Sequence, residues 1–327
     1  MSLPTAIGIP IEVHLGPLEW ATALRADAAA GLTASPKQLP PTWLYDERGC
    51  ELFEQITELP EYYPTRSERA ILVRRAPEVA RLTRAESLVE LGPGAAVKTR
   101  VLLDALAESG SLLSYVPFDV AESTLRATAT AVATEYPGID VVGVVGDFRR
   151  HLPLLPASGR RLVAFLGGTI GNLRPPERAD FLAELAGTMA PGDALLLGTD
   201  LVKDPARLVA AYDDAAGVTA EFNRNVLTVL NRDLGADFDV GGFDHVARYH
   251  VRERWIEMHL RAREASAVTI PGLGITIELR KGETILTEVS AKFDRSQVTA
   301  ELGAAGLRLA RWWTDPGGDY ALSLSVR

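Results

Sequence analysis

A single cysteine among 327 residues leaves no partner for a disulfide within the chain and no pair for a CxxC metal knuckle. It is Cys50, beside "ELFEQITEL", where packing or partial burial is its expected role. A lone thiol fits a reducing compartment. Basic residues are also in deficit: 34 Lys and Arg against 43 Asp and Glu, for a net charge of -9. A phosphate backbone needs Lys and Arg to neutralise it, so no nucleic-acid partner is expected. No apolar run approaches the length of about 18 residues that reads as a membrane span, so no membrane partner is expected either. The N-terminus "MSLPTAIGIPIEVHLG" lacks a basic segment before an apolar stretch and does not read as a signal peptide, and a cytoplasmic location is expected. The five histidines are scattered, none in an HExxH pattern, and His245 and His250 lie five apart, so no metal site is expected. What remains is an ordinary globular composition, 47% hydrophobic and 24% charged, long enough for one large core or two unequal domains.

The apolar residues are distributed in two textures. An alanine-rich helical stretch over residues 18–32 precedes the loop "TASPKQLPP". "GCELFEQITELPEYYPT" predicts a short helix stopped by Pro60, and Thr65 or Ser67 is placed to cap a helix over "RSERAILVRRAPEVARL". Short apolar runs then alternate with helical segments. The runs are "SLVELG", "SYVPFDV", "DVVGVVGDF", "RLVAFLGG" and "DALLLGTD"; the helices include "AVKTRVLLDALAESG". Continuous apolar strands separated by helices predict a parallel sheet covered on both faces. After Asp200 the rhythm breaks into helices and then into strands punctuated by Gly272, Gly274 and Gly282. It resumes with helix "DRSQVTAELGAAG" and a hairpin formed by "LRLARWWTD" and "YALSLSV". The predicted fold class is therefore α/β, a parallel sheet ending in an antiparallel hairpin, with a second, smaller α+β domain. The first domain takes residues 64–202 and 293–327; the second takes 203–292, joined by 15–63.

Glu90, Asp119 and Asp147 each close an apolar strand, 29 and 28 residues apart. That interval is about one strand-helix-strand unit, so all three reach one edge of the sheet, although an acid there can also cap the next helix. Gly92 and Gly94 follow Glu90, but Val97 stands where a dinucleotide-binding loop has its third glycine. The carboxylate of Glu90 beside that turn disfavours a pyrophosphate and suits a cationic ligand. S-adenosylmethionine carries a sulfonium, an amino group, a ribose and an adenine, and no phosphate. Glu90 near its methionine end, Asp119 on the ribose and Asp147 near the adenine form a sensible set. Phe118 and Phe148 could cover the adenine or belong to the core.

Longer stretches carry a closer likeness: "SPKQLPPTWLYDERGCELFEQITELPEYYPTR", "LVELGPG" with "KTR", "YVPFDV", "FLGGTIGN", "GDALLLGTDLVKD", "AYDDAAGVTAEFNRNVL", "TEVSAKF" and "WWTD". In these the sequence resembles the ergothioneine-pathway histidine N-α-methyltransferases of actinobacteria, over about residues 35–325. The resemblance implies a Rossmann-like, S-adenosylmethionine-dependent enzyme that trimethylates the α-amino group of L-histidine to hercynine. It implies Gly92, Gly94, Lys98, Asp119, Asp147 and Phe148 on the cofactor, with Glu90 beside them. Asn172 and Tyr212 are implied at the histidine carboxylate, Asn172 also at the amine, and Tyr45 between cofactor and amine as the second catalytic residue. Tyr62 and Met258 are implied in the substrate pocket, with Glu288 and Ser290 on the two imidazole nitrogens. Glu288 and Ser290, two apart on a strand, share a face. On their own they could also be a solvated strand face, as Lys292 on the same side suggests. Asn172 alone could be a helix cap, and Tyr62, Tyr212 and Met258 could be core. One departure stands out: relatives often carry hydroxyls around the glycine turn, as in G-S-G-T-S, where this chain has "GPGAAV", so backbone N–H groups and Lys98 must serve instead. A monomer with L-histidine as its small-molecule substrate is expected.

Overall fold

The computed structural model describes residues 8–156 and 158–327. Its larger sheet has nine strands. From one edge, the strands are Ile11–Val13, Gly143–Val145, Ser114–Asp119, Ser87–Leu91, Arg161–Phe165, Ala194–Asp200, Tyr320–Val326 and Arg308–Thr314, with the short Asp140–Val141 also paired to Ser114–Asp119. All pairings are parallel up to Ala194–Asp200. The last two strands form an antiparallel hairpin that joins the sheet through Tyr320–Val326. The strand order reverses between Ser87–Leu91 and Arg161–Phe165, and a crevice at such a reversal is where ligands bind in open α/β sheets. This is a Rossmann-like sheet of mixed pairing.

The central strands are continuous apolar runs because helices cover both of their faces. Ser87–Leu91, Arg161–Phe165 and Ala194–Asp200 are buried at every position. Helix Pro64–Thr83 packs under one face with Thr99–Glu108, and Pro175–Thr188 lies with Arg295–Ala304 on the other. Three details differ from the sequence reading. Helix Pro64–Thr83 has neither Thr65 nor Ser67 as its cap; Tyr63 holds that position without a capping side chain. Its hydroxyl is drawn instead to Asp200, at 2.8 and 2.9 Å. The helix expected to begin at Ala96 begins at Thr99, because Ala96 takes a left-handed φ of 54° inside the turn. The strand Ile11–Val13 had no counterpart in the sequence reading.

A separate four-stranded sheet runs Lys37–Gln38, Thr284–Ala291, Trp255–Ala262, Phe243–His250. Helix Val218–Leu234 packs on it, and helix Glu47–Glu58 packs on that helix. Its apolar cluster draws on residues 23–63 and 208–285, apart from the two clusters on the faces of the larger sheet. Asp46 begins helix Glu47–Glu58 by accepting from Gly49 N at 2.9 Å, and Cys50 in its first turn is half-buried. Burial pushes the Cys50 thiol up to about 12, which leaves it inert at neutral pH. No helix among the described residues is long and apolar enough to cross a membrane.

Candidate active site

A cavity opens where the C-terminal ends of the parallel strands meet the four-stranded sheet. Tyr45, Tyr62, Asn172, Tyr212, Met258, Glu288 and Ser290, distant in sequence, all line it. Three kinds of local structure bring them together. Strand Thr284–Ala291 turns Glu288 and Ser290 inward on one face, and Met258 stands opposite Glu288 on the neighbouring strand, beside a register shift between Met258 and His259. Such irregularities re-aim side chains next to functional sites. Asn172 ends a single 3₁₀ turn, Thr169–Asn172, reached through Gly167 and Gly168 at φ 76° and 73°. It is not a helix cap, because Arg174 holds the N-cap position of Pro175–Thr188, its backbone N–H donating to Glu177 at 2.7 Å. Tyr62 and Tyr212 pack edge to face, and Tyr45 contacts Phe53 and Phe222 in the same way.

The polar groups on this wall are of two kinds. Glu288 is buried, and among the described residues nothing hydrogen-bonds its carboxylate. Burial lifts it to about 7, with Lys292 pulling the other way. The amide of Asn172 is likewise without a hydrogen-bond partner among the described residues. Ser290 and Tyr212 are bonded to each other at 2.7 Å. Behind them the Lys292 ammonium donates to Ser290 Oγ at 2.9 Å and to Tyr212 Oη at 3.0 Å, and pairs with Asp200 at 2.9 Å. Lys292 is therefore not on a solvated face; its side chain is fully buried because Asp200, from the larger sheet, meets it there. Burial pushes Asp200 up, but Lys292 and Lys203 together hold it below the usual carboxylate range. Burial and the Glu288 charge raise the Tyr45 phenol well above its ordinary value, so it keeps its proton at neutral pH.

A second, adjoining cavity shares Tyr45, Thr169, Asn172 and Glu288 with the first and extends along Val120, Asp147 and Phe148. Phe148 reaches this cavity while its ring edge rests on Phe165 and Phe181. Phe118 is core. Asp147 is held by Arg149, whose backbone N–H donates at 2.9 Å and whose guanidinium reaches on to Thr42 at 3.0 Å. Glu90, Gly92, Gly94, Lys98 and Asp119 lie outside both cavity linings, around the adjacent glycine turn. Gly92 and Gly94 take φ of 70° and 53°, the left-handed region that favours glycine, and the Gly92 N–H donates to Phe118 O at 2.8 Å. Asp119 accepts from Ala121 N at 3.0 Å, as the residue leading into the next helix. Glu90 departs from the expected ligand contact: its carboxylate is buried, accepting from Thr99 Oγ1 at 2.6 and 2.8 Å and from Tyr115 at 2.8 Å. It acts on the turn by fixing the start of helix Thr99–Glu108.

Lys98 is tied to Glu68, which sequence reasoning missed. Glu68 is fully buried and also accepts from Gly167 N at 2.9 Å and from Tyr320 Oη at 2.9 Å. It thus joins the lysine beside the glycine turn to the backbone lining the first cavity. Gly198 leaves it room, since a Cβ there would stand 2.2 Å from Glu68 Oε1. Asp200 was missed as well, although it closes the apolar run "DALLLGTD" as the three chosen acids close theirs. The set suits a phosphate-free cofactor: Lys98 beside the turn is already paired with an acid, while the Asp119 carboxylate keeps acceptor capacity suited to hydroxyls.

A family model described as "Histidine-specific methyltransferase, SAM-dependent" matches residues 24–327. The chain is 57% identical over 319 residues to a histidine N-alpha-methyltransferase of Mycobacterium tuberculosis, covering 98% of this chain and 99% of that one. It is 57% identical over 307 residues to that of Mycolicibacterium smegmatis, covering 94% and 96%. Identity to ergothioneine biosynthesis protein 1 of Neurospora crassa is 32% over 297 residues, 89% of this chain and 33% of that larger protein. With matches of this extent, the chain belongs to the SAM-dependent, histidine-specific methyltransferase family.

Proposed function

We propose that this enzyme transfers three methyl groups in succession from S-adenosylmethionine to the α-amino nitrogen of L-histidine, giving hercynine, the first step of ergothioneine biosynthesis. The observation that carries the reading is the convergence of Tyr45, Tyr62, Asn172, Tyr212, Met258, Glu288 and Ser290 on one cavity beside the glycine turn. S-adenosylmethionine supplies an electrophilic methyl on a sulfonium that is already a good leaving group. The protein's task is therefore mainly position.

In this reading Tyr212 and Asn172 bind the substrate carboxylate, and the Asn172 carbonyl orients the amine. Glu288, free of protein donors, accepts an imidazole N–H, and Ser290 meets the other ring nitrogen. Tyr62 and Met258 close the pocket around the ring. Gly92, Gly94, Lys98, Asp119, Asp147 and Phe148 hold the cofactor, with Glu90 and Glu68 supporting the turn. Tyr45 keeps its proton, so it positions the amine rather than deprotonating it, and the amine reacts in its neutral form. A trimethylated nitrogen has no N–H left to offer Asn172, which supports three as the end point.

Residues 64–202 with 293–327 make the cofactor half, and 15–63 with 203–292 the substrate half. Separate sheets and separate apolar clusters support that division. A monomer in the cytoplasm completes the proposal. The direct test supplies labelled S-adenosylmethionine with histidine and a panel of other amino acids. Histidine is expected to gain up to three methyl groups. Transfer to a different amine, with histidine untouched, overturns the substrate.

A further inference from the structure

The first cavity has an electrostatic puzzle. Its lining includes two carboxylates, Asp200 and Glu288, and no lysine or arginine. Histidine brings a third carboxylate. Three anions meeting in a desolvated pocket repel strongly, and two neutral contacts, Asn172 and Tyr212, do not offset a charge. The compensating cations stand one layer behind the wall. Lys292 and Lys203 flank Asp200, at 2.9 and 2.5 Å, so two ammonium groups share one carboxylate and leave one positive charge in surplus. Lys203 spends its remaining hydrogen bonds away from the cavity, on Tyr63 Oη at 2.7 Å and Leu201 O at 2.7 Å. Lys292 spends its own on the two hydroxyls that face the ligand, Tyr212 and Ser290.

We propose that Lys292 is the positioning residue for the substrate carboxylate: it supplies the buried counter-charge and transmits it through the Tyr212 hydroxyl. This inference rests on the histidine reading above. Hydrogen-bond accounting supports it. A carboxylate only accepts, so Tyr212 must turn its hydrogen toward it, and the 2.7 Å contact with Ser290 must then carry the Ser290 hydrogen. Tyr212 Oη therefore accepts from both Lys292 and Ser290, and both of its lone pairs are filled. A phenol that accepts from an ammonium is a stronger donor, because linked hydrogen bonds polarise one another. The same accounting leaves Ser290 one free lone pair for a ring N–H, and with Glu288 accepting the other the ring binds as an imidazolium that offsets Glu288, which leaves Asp200 and the substrate carboxylate to the two lysines. The carboxylate end and the imidazole end of the substrate are thereby coupled through one lysine.

The test compares Lys292→Met with the unaltered enzyme for two ligands in the presence of S-adenosylhomocysteine, by calorimetry. One ligand is L-histidine. The other is L-histidinamide, which keeps the shape but carries a neutral carboxamide. The variant is expected to bind histidine at least about tenfold more weakly and histidinamide nearly as before, so that the preference between them narrows. A merely structural lysine would weaken both equally, and that result overturns the proposal, as does unchanged histidine affinity. Lys292→Gln, which retains donors without charge, gives the same reading should Lys292→Met not fold. Failure of the unaltered enzyme to bind histidine at all overturns the substrate reading and this inference with it. Binding with an undiminished preference in both variants overturns this inference alone.

Discussion

Glu90 and Glu288 are both buried carboxylates that burial lifts to about 7, one in each half of the molecule, yet their surroundings are opposite. Glu90 is surrounded by donors: Thr99 and Tyr115 satisfy it from within the larger sheet. Glu288 has a cavity in front of it and no donor among the described residues. A buried acceptor left unsatisfied costs stability, and a fold retains one where a ligand completes it. The contrast separates a carboxylate that builds the site from one that reads the substrate, a distinction that displaced titration alone does not make.

The largest expected effect tests this separation directly. Glu288→Ala should lower kcat/KM for histidine by about 100-fold while changing the affinity for S-adenosylhomocysteine little. Unaltered histidine kinetics would remove Glu288 from the imidazole. A second experiment turns the comparison into stability. A buried acid whose titration is raised binds its proton more tightly in the folded state, so its ionisation destabilises the fold progressively as pH rises from its unfolded value near 4.5 to about 7, and the cost then stays constant. For Glu288 that cost is on the order of 3 kcal/mol. Without ligands, Glu288→Gln should therefore raise the melting temperature at pH 8 and leave it nearly unchanged at pH 4. Glu90→Gln should gain less at pH 8, since the amide gives up one of the two acceptor oxygens that Thr99 and Tyr115 use. Equal gains from the two variants would erase the distinction.

The two halves also differed in how far the sequence disclosed them. The parallel strands were legible because burial on both faces writes each as an unbroken apolar run, as in "RLVAF" and "ALLLGTD". The terminal hairpin was legible from its turn glycines. The substrate wall was not: Tyr62, Tyr212 and Met258 look like core residues in any local window, and the family resemblance picked them out. The strand Ile11–Val13 is three residues at a sheet edge, too short to show a period. Lys292 and Glu68 were hidden for a physical reason. A charged residue signals exposure in sequence, and these two are buried only because partners from distant segments, Asp200 for one and Gly167, Tyr320 and Lys98 for the other, converge on them.

Glu68 therefore provides the next test, of intermediate size. It links the cofactor turn to the substrate cavity, so Glu68→Gln should loosen Lys98 and the Gly167 backbone together. A loss of about tenfold in S-adenosylhomocysteine affinity is expected, as for a charge-assisted buried hydrogen bond. A smaller change should appear in histidine binding once the cofactor site is saturated. A loss confined to histidine would place Glu68 with the substrate wall instead.

The smallest effect is expected at Gly92, where space and backbone conformation can be told apart. A Cβ at Gly92 would meet nothing within 4 Å, so crowding does not require glycine there. Its φ of 70° does favour glycine, because an L side chain in the left-handed region costs about 1–2 kcal/mol. Gly92→Ala should leave the fold intact and strain the turn where it leaves the sheet, at the Gly92 N–H that donates to Phe118 O at 2.8 Å. Cofactor affinity should fall by about five- to tenfold, with KM for histidine at saturating cofactor unchanged. This modest loss measures how much of cofactor binding rests on the backbone geometry of the "GPGAAV" turn. Calorimetry with S-adenosylhomocysteine reads it, and an unchanged affinity would move the cofactor contact away from Gly92 to Lys98 and Asp119.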